Sequence, residues 1–322
     1  MKSVDYDLVI IGGGPAGLTA GLYAARARLN VILIEKIVPG GQVLTTDWIE
    51  NYPGFPEGIS GPDLIQKMTE QVKKFDLNIE SNEVISLDLL SEPVKKIKLS
   101  DRTITSHTII IATGASPKKL GIPGEDIFFG KGLSTCATCD APFFKDKMVA
   151  AVGGGDTAVQ ESIFLTKFAK KVYLIHRRDQ LRATKILQER AFANDKIEFI
   201  WDSVLTSIDG LANVEKITVK NVKTGETKEF SVDGCFIWTG ILPNTNFLKD
   251  EVKVDDYGFI IVDSNMQSSV PGVFAAGDVR STGLRQIVTA AGDAASAVFS
   301  AEHYMENRIL FKFRGNGQSV KI

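Results

Sequence analysis

The sequence is poor in cysteine and histidine and has no surplus of either charge. Three cysteines among 322 residues are too few for a disulfide framework, so a close pair in a reducing compartment points to catalysis or metal binding. With 37 Lys and Arg against 39 Asp and Glu, the formal charge of −2 gives no broad electrostatic reason to bind nucleic acid or an anionic membrane. No apolar run approaches the ~20 residues a membrane span requires. The start, MKSVDYDLVIIGGG, has no signal-peptide cleavage pattern, because its apolar run leads straight into glycines. The expectation is a cytoplasmic protein without a membrane anchor. Hydrophobic content of 44% and charged content of 24% are ordinary for a globular chain, and the length suits two domains.

What the sequence does contain is an internal repeat. DLVIIGGGPAGLTAGLYAARARLNVILIEK (7–36) is echoed by VAAVGGGDTAVQESIFLTKFAKKVYLIHRR (149–178), an offset of 141. Each copy reads as apolar strand, glycine turn, amphipathic helix and second apolar strand, which is a βαβ unit. The echo continues in IIIATG (109–114) and CFIWTG (235–240), and each half has a polar hairpin-like region, the second turning near Thr224-Gly225. The stretch GVFAAGDV followed by the small-residue helix LRQIVTAAGDAASAVFSAEHYM suits a return to the first domain. The expected fold is therefore α/β, with two Rossmann-like, three-layer dinucleotide domains, the second inserted into the first. The first would comprise 1–116 and 245–322, the second 117–244, joined by Pro-containing links.

The glycines point to nucleotides. In such a turn one glycine makes the bend, one lets the backbone approach a pyrophosphate and one lets helix and strand pack closely. Gly12, Gly14 and Gly17 match Gly153, Gly155 and Ala158, and each helix start offers N–H groups and a positive dipole end. The copies differ at the tip of the second strand. Glu35, 18 residues beyond Gly17, is placed to accept ribose hydroxyls. At the equivalent place stand His176, Arg177 and Arg178, with Arg182 beyond. A solvated basic turn is the bland reading. The strand-tip position favours a 2′-phosphate, which guanidinium groups bind bidentately. Two dinucleotides in one chain suggest a flavin paired with a nicotinamide.

Cys136 and Cys139 lie in STCATCDAPFF. Their spacing permits a redox disulfide, and a helix start after the first would favour a thiolate. A zinc site would need two further ligands, to be found among Cys235, His107, His176, His303 and carboxylates. Cys235 reads as a buried hydrophobe in an apolar strand, so no metal is expected. Asp140 is either a turn-forming cap or an acid for a departing thiolate, and the residues alone leave both readings open.

Taken together, GGGPAG (12–17), GGQ and ENYPG (40–42, 50–54), ATG (112–114), CATCD (136–140), GGGDTA (153–158), HRRDQLR (176–182), GVFAAGDV and RQIVTAAG (272–279, 285–292) cover nearly the whole chain. The sequence resembles the low-molecular-weight thioredoxin reductases. That resemblance implies FAD in the discontinuous domain and NADPH in the inserted one. FAD would be held by Gly12, Gly14, Pro15, Ala16, Gly17, Glu35, Lys36, Gly41, Gln42, Asn51, Ala112, Thr113, Gly114, Asp278, Arg285, Gln286 and Ile287. NADPH would be held by Gly153, Gly155, Asp156, Thr157, Ala158 and the 176–182 cluster. It further implies that Cys139 faces the flavin, that Cys136 attacks the disulfide of thioredoxin with Asp140 as acid and base, that the domains rotate between half-reactions, and that the enzyme is a homodimer. A flavin reductase fed by ferredoxin is the alternative. Ala141-Pro142 stands where the family usually has a glycine after the Asp, so a different local turn is expected there.

Overall fold

Strand β1 (Tyr6–Ile11) and helix α1 (Pro15–Arg26) open the chain and β2 (Val31–Glu35) follows. The computed structural model describes residues 4–46, 49, 51–90 and 94–315. It divides into two units, Met1–Thr46 with Tyr52–Ser116 and Leu242–Ile322, and Asp47–Asn51 with Pro117–Ile241.

In the first unit, β1 and β2 are continuous apolar runs buried on both faces, the pattern of interior parallel strands. They pair in register from Leu8 with Val31 to Ile11 with Ile34. Helix α1 buries Ala16, Gly17, Ala20, Gly21 and Ala24, a small-residue face that allows close approach. Helix α2 (Gly61–Lys73) is started by Ser60, whose hydroxyl accepts from Asp63 N at 3.1 Å, a cap worth about 1 kcal/mol. Strands β3 (Asn78–Ser81), β4 (Val84–Asp88), β5 (Lys95–Leu99) and β6 (Thr103–Ile111) complete most of the sheet in the order β3-β2-β1-β6-β5-β4. The first four are mutually parallel, and β4 and β5 extend the sheet antiparallel.

Strand β7 (Ala115–Pro117) carries the chain into the second unit. There α3 (Glu125–Phe128), β8 (Leu133–Ser134), α4 (Ala137–Asp140), β9 (Met148–Val152), α5 (Asp156–Leu165), β10 (Lys171–Ile175), α6 (Lys185–Phe192) and β11 (Ile197–Ile200) follow in turn. Then come β12 (Ser203–Asp209), β13 (Lys216–Asn221), β14 (Thr227–Ser231) and β15 (Gly234–Ile237). The sheet order is β11-β10-β9-β15-β8, all parallel, and β12-β13-β14 form an antiparallel meander. Its turn holds Gly225 at φ +76°, where the Thr224-Gly225 signal lay.

Strand β16 (Ile241–Pro243) returns the chain, and β17 (Val273–Ala275) adds parallel to β6. The inserted unit ends at Ile241 rather than at 244, because Asn244 is bound into the first unit. Its N–H donates to Gly114 O at 3.0 Å, its amide to Thr113 O at 2.8 Å, and Thr113 Oγ1 donates to Asn244 O at 2.8 Å. Helix α7 (Ile287–Gly315) runs beyond the expected end of the last helix, since RILFKFR contains no helix breaker before Gly315. Residues 316–322 lie outside the described residues.

Candidate redox and dinucleotide sites

The first glycine turn joins β1 to α1. Gly12 has φ +104°, and a Cβ there would overlap the carbonyl oxygen of Ala112. A Cβ on Gly17 would overlap the carbonyl oxygen of Gly12. These two positions need glycine for close packing. Gly14 caps α1 without any side-chain bond, Pro15 takes the first turn, and open space lies beyond Gly14. No acidic side chain occupies that turn, so the N–H groups of the helix start form a cradle that fits a pyrophosphate.

Around this cradle, Glu35 Oε2 accepts from Gly13 N at 2.6 Å and Oε1 from Ile37 N at 3.1 Å. The acid therefore stands at the rim of the turn. Gly40 N donates to Gly13 O at 2.8 Å, which draws Gly41 against Gly14. Gln42 donates its amide to Ala115 O, and Ala112 N bonds Ile11 O at 2.8 Å. Lys36 is exposed and pairs with Glu83 Oε1 at 2.7 Å. Asn51 is exposed and belongs to the segment grouped with the second unit, unlike the other residues expected at FAD.

Gly277, at φ +75°, packs against Ala16 of α1 and Ala290 of α7, just before Asp278. Burial pushes the Asp278 carboxyl above its ordinary value against the opposing pull of Arg285. Arg285 lies 4.4 Å over the Phe259 ring, and its buried Nε has no partner among the described residues. An orphaned buried donor of this kind calls for an acceptor from a bound group. Gln286 N is held by Thr289 Oγ1 at 3.2 Å just before Ile287 starts α7. Asp293, which the sequence reading missed, fixes this corner: it accepts from Arg280 at 2.6 and 2.7 Å and from Gly277 N at 3.1 Å. Its signal was present in TAAGD, where a lone acid interrupts a small-residue helix.

The second turn repeats the first. Gly153 has φ +151°, Gly155 caps α5 without a side-chain bond, and open space lies beyond it. Ala158 stands for the third glycine with its methyl buried against Gly153. Arg182 N donates to Gly154 O at 2.7 Å and Thr184 N to Asp156 Oδ1 at 2.6 Å. Asp156 thus clasps the 177–184 loop onto the helix start, while Thr157 is exposed there. Arg177, Arg178 and Arg182 are exposed near the cradle. His176 differs from these exposed arginines. It is buried beneath Gly154, and its ring titrates below the ordinary 6.5, first through burial and then through Arg182, Arg177 and Arg178. The positive charge at this strand tip is carried by the three guanidinium groups.

The cysteine segment hangs from the edge strand β8. Ser134 Oγ accepts from Cys136 N at 3.0 Å, and Trp238 Nε1 donates to Thr135 O at 3.0 Å. Cys136 then caps α4, and a disulfide joins it to Cys139 with Cα atoms 5.4 Å apart. Cys136 Sγ lies 3.4 Å from Thr138 Oγ1. Asp140 ends α4 half-buried, its N–H on Cys136 O at 3.2 Å. The Ala141-Pro142 departure is accommodated by helical backbone. Ala141 has φ −53° and is fully buried, and Pro142 occupies the first turn of a short 3-10 helix, where a missing N–H is harmless. Cys235 is buried in β15 with its thiol pushed up to about 12 by burial, which leaves it out of redox chemistry.

Among the described residues no helix is long and apolar enough to cross a membrane. The pyridine nucleotide-disulphide oxidoreductase family matches residues 6–294. A thioredoxin reductase of Peptoclostridium acidaminophilum is 47% identical over 94% of this chain and 97% of its own length, and that of Bacillus subtilis is 44% identical over 94% and 95%. The crystal structure of thioredoxin reductase from Streptococcus pyogenes covers 95% of this chain and all of its own, at 49% identity and a TM-score of 0.89. On these matches the chain belongs to the thioredoxin reductases of the pyridine nucleotide-disulphide oxidoreductase family.

Proposed function

We propose that the chain is an NADPH-dependent thioredoxin-disulfide reductase with FAD in the first unit, NADPH in the second and the Cys136–Cys139 disulfide as electron relay. The observation that carries this reading is the pairing of two cradles whose strand tips differ in charge, with a disulfide built beside the second.

FAD, when bound, accepts a hydride equivalent from NADPH and delivers an electron pair to a disulfide. The rest is done by the chain's own residues. The start of α1 and Glu35 hold the phosphates and ribose, while Asp278 and Arg285 offer buried polar groups to the remainder. Arg177, Arg178 and Arg182 select the 2′-phosphate. Reduction converts the Cys136–Cys139 bond into two thiols. Cys136 as thiolate attacks one sulfur of the thioredoxin disulfide, forming a mixed disulfide and releasing the other sulfur as thiolate. Cys139 then attacks Cys136, re-forming the internal disulfide and freeing reduced thioredoxin. Asp140, half-buried at the end of the same short helix, supplies and takes up the proton.

The redox pair and the nicotinamide cradle share one unit, and the flavin cradle is in the other. We infer that the units turn between half-reactions at β7 and β16, that the enzyme acts as a homodimer and that it works in the reducing cytoplasm. A ferredoxin-fed reductase would have no use for arginines folded back onto the second turn. The test is an absorption spectrum before and after anaerobic NADPH, followed by thioredoxin reduction. A flavin spectrum that bleaches with NADPH and drives thioredoxin reduction is expected. A colourless protein, or bleaching only with ferredoxin, overturns the reading.

A further inference from the structure

The loop that carries Arg177, Arg178 and Arg182 also carries an acid, Asp179. A second acid, Asp202, lies just ahead of β12, with its N–H on Arg178 O at 3.2 Å. Either carboxylate, if paired with a neighbouring guanidinium, would neutralise it and repel an arriving anion. Neither acid is so paired. Among the described residues no carboxylate forms an ion pair with Arg177, Arg178 or Arg182. Both acids meet Lys223 instead, whose Nζ lies 3.1 Å from Asp179 Oδ2 and 3.0 Å from Asp202 Oδ1.

Lys223 comes from the turn between β13 and β14, 44 residues beyond Asp179. Its backbone is braced there. Asn221 Oδ1 accepts from Lys223 N and from Thr224 N, each at 2.9 Å. Gly225 N donates to Asn221 O at 2.9 Å, and Val222 N donates to Asp202 O at 2.6 Å. An exposed ion pair between two free side chains contributes little, because both must be ordered to form it. In this case one ammonium on a fixed turn serves two carboxylates, and the Asp202 side chain is only 18% exposed. The three groups form a small network rather than an isolated pair.

We propose that Lys223 is a positioning residue for coenzyme choice, holding Asp179 and Asp202 off the arginine cluster so that its guanidinium groups stay open to a 2′-phosphate. The proposal deepens the NADPH reading and rests on it. It gives the meander a part in the charge at the second strand tip.

The test is calorimetric titration of the FAD-loaded full chain with adenosine 2′,5′-bisphosphate and with adenosine 5′-monophosphate, which differ only in the 2′-phosphate. Lys223→Met is expected to weaken bisphosphate binding about threefold to tenfold and monophosphate binding by less than about twofold. Lys223→Arg, which keeps the charge, is expected to stay within about twofold of the parent for both probes. In an Asp179→Asn, Asp202→Asn background neither side chain can compete for the arginines, and Lys223→Met is expected to have no further effect. Asparagine is suited to position 202, where φ is +49°.

Four results overturn the proposal: unchanged bisphosphate affinity in Lys223→Met, an equal loss for both probes, a Lys223→Arg protein as weak as Lys223→Met, or a loss that persists in full in the double-asparagine background. The last would show the ammonium acting on the phosphate itself. A parent that binds both probes equally refutes the NADPH reading and this proposal with it. A parent that prefers the bisphosphate beside an indifferent Lys223→Met refutes the proposal alone.

Discussion

Glu35 and His176 occupy the same place in two copies of one turn. Glu35 Oε2 accepts from Gly13 N at 2.6 Å, and 141 residues on, the His176 ring presses on Gly154 so closely that a Cβ there would overlap it. In the first copy the turn is lined by a carboxyl side chain at the position suited to ribose hydroxyls. In the second a buried imidazole fills the space, and three exposed arginines follow it at the strand tip. One backbone design thus carries an acid at one strand tip and, at the other, a buried imidazole followed by three exposed arginines.

The arginines should set coenzyme choice. Arg177→Ala combined with Arg178→Ala is expected to raise KM for NADPH about 10- to 100-fold, as loss of bidentate phosphate contacts implies. KM for NADH should change by no more than about twofold. Steady-state kinetics with both coenzymes decide it, and equal losses for the two would remove the 2′-phosphate assignment.

The sulfurs should behave as two plus one. Cys136→Ser or Cys139→Ser is expected to abolish thioredoxin reduction while FAD stays bound, because the first cradle is built from residues of the first unit. Thiol titration of the reduced native protein should find two reactive groups. Cys235, with its thiol pushed up to about 12 in β15, should react only after denaturation.

Gly17 should tolerate no side chain. A methyl there overlaps the carbonyl oxygen of Gly12, so Gly17→Ala must force α1 away from β1. Overpacking of this kind costs about 1–3 kcal/mol and spoils the cradle as well. The expected outcome is a protein purified with little or no flavin, seen in its visible spectrum. Gly14→Ala, where open space lies beyond the backbone, should fold normally and be the milder change.

His176 should make the second unit acid-sensitive. Its folded value lies below the ordinary 6.5, so the unfolded chain takes up the proton first as the pH falls. Its contribution to stability is complete above about pH 6.5 and is lost as pH drops toward the folded value. Thermal unfolding without NADPH, between pH 7.5 and 5, should show a decline that is shallower in His176→Asn. An identical pH slope in the two proteins would exclude this origin.

The parts of this molecule that the sequence disclosed are those governed by local rules. Glycine turns, apolar strand runs and the hairpin at Thr224-Gly225 need only nearby residues, and the repeat supplied each twice. The cysteine pair was legible for the same reason. What stayed hidden depends on distant pairing. Asp293 matters because α7 folds back on Gly277, and Asn244 because it bonds Thr113 from 131 residues away. His176 read as one more member of the basic cluster beside its arginines; only the close approach of Gly154 shows that its ring is buried, and that burial lowers its pKa.

Ala141 and Pro142 change what happens once the sulfur–sulfur bond opens. The covalent staple across α4 is then gone, and the backbone around Cys139 is free to explore more states. An alanine with its methyl fully enclosed and a proline with its ring-locked torsion remove many of those states. The restriction these two residues impose, on the side of α4 that carries Cys139, does not depend on the cross-link.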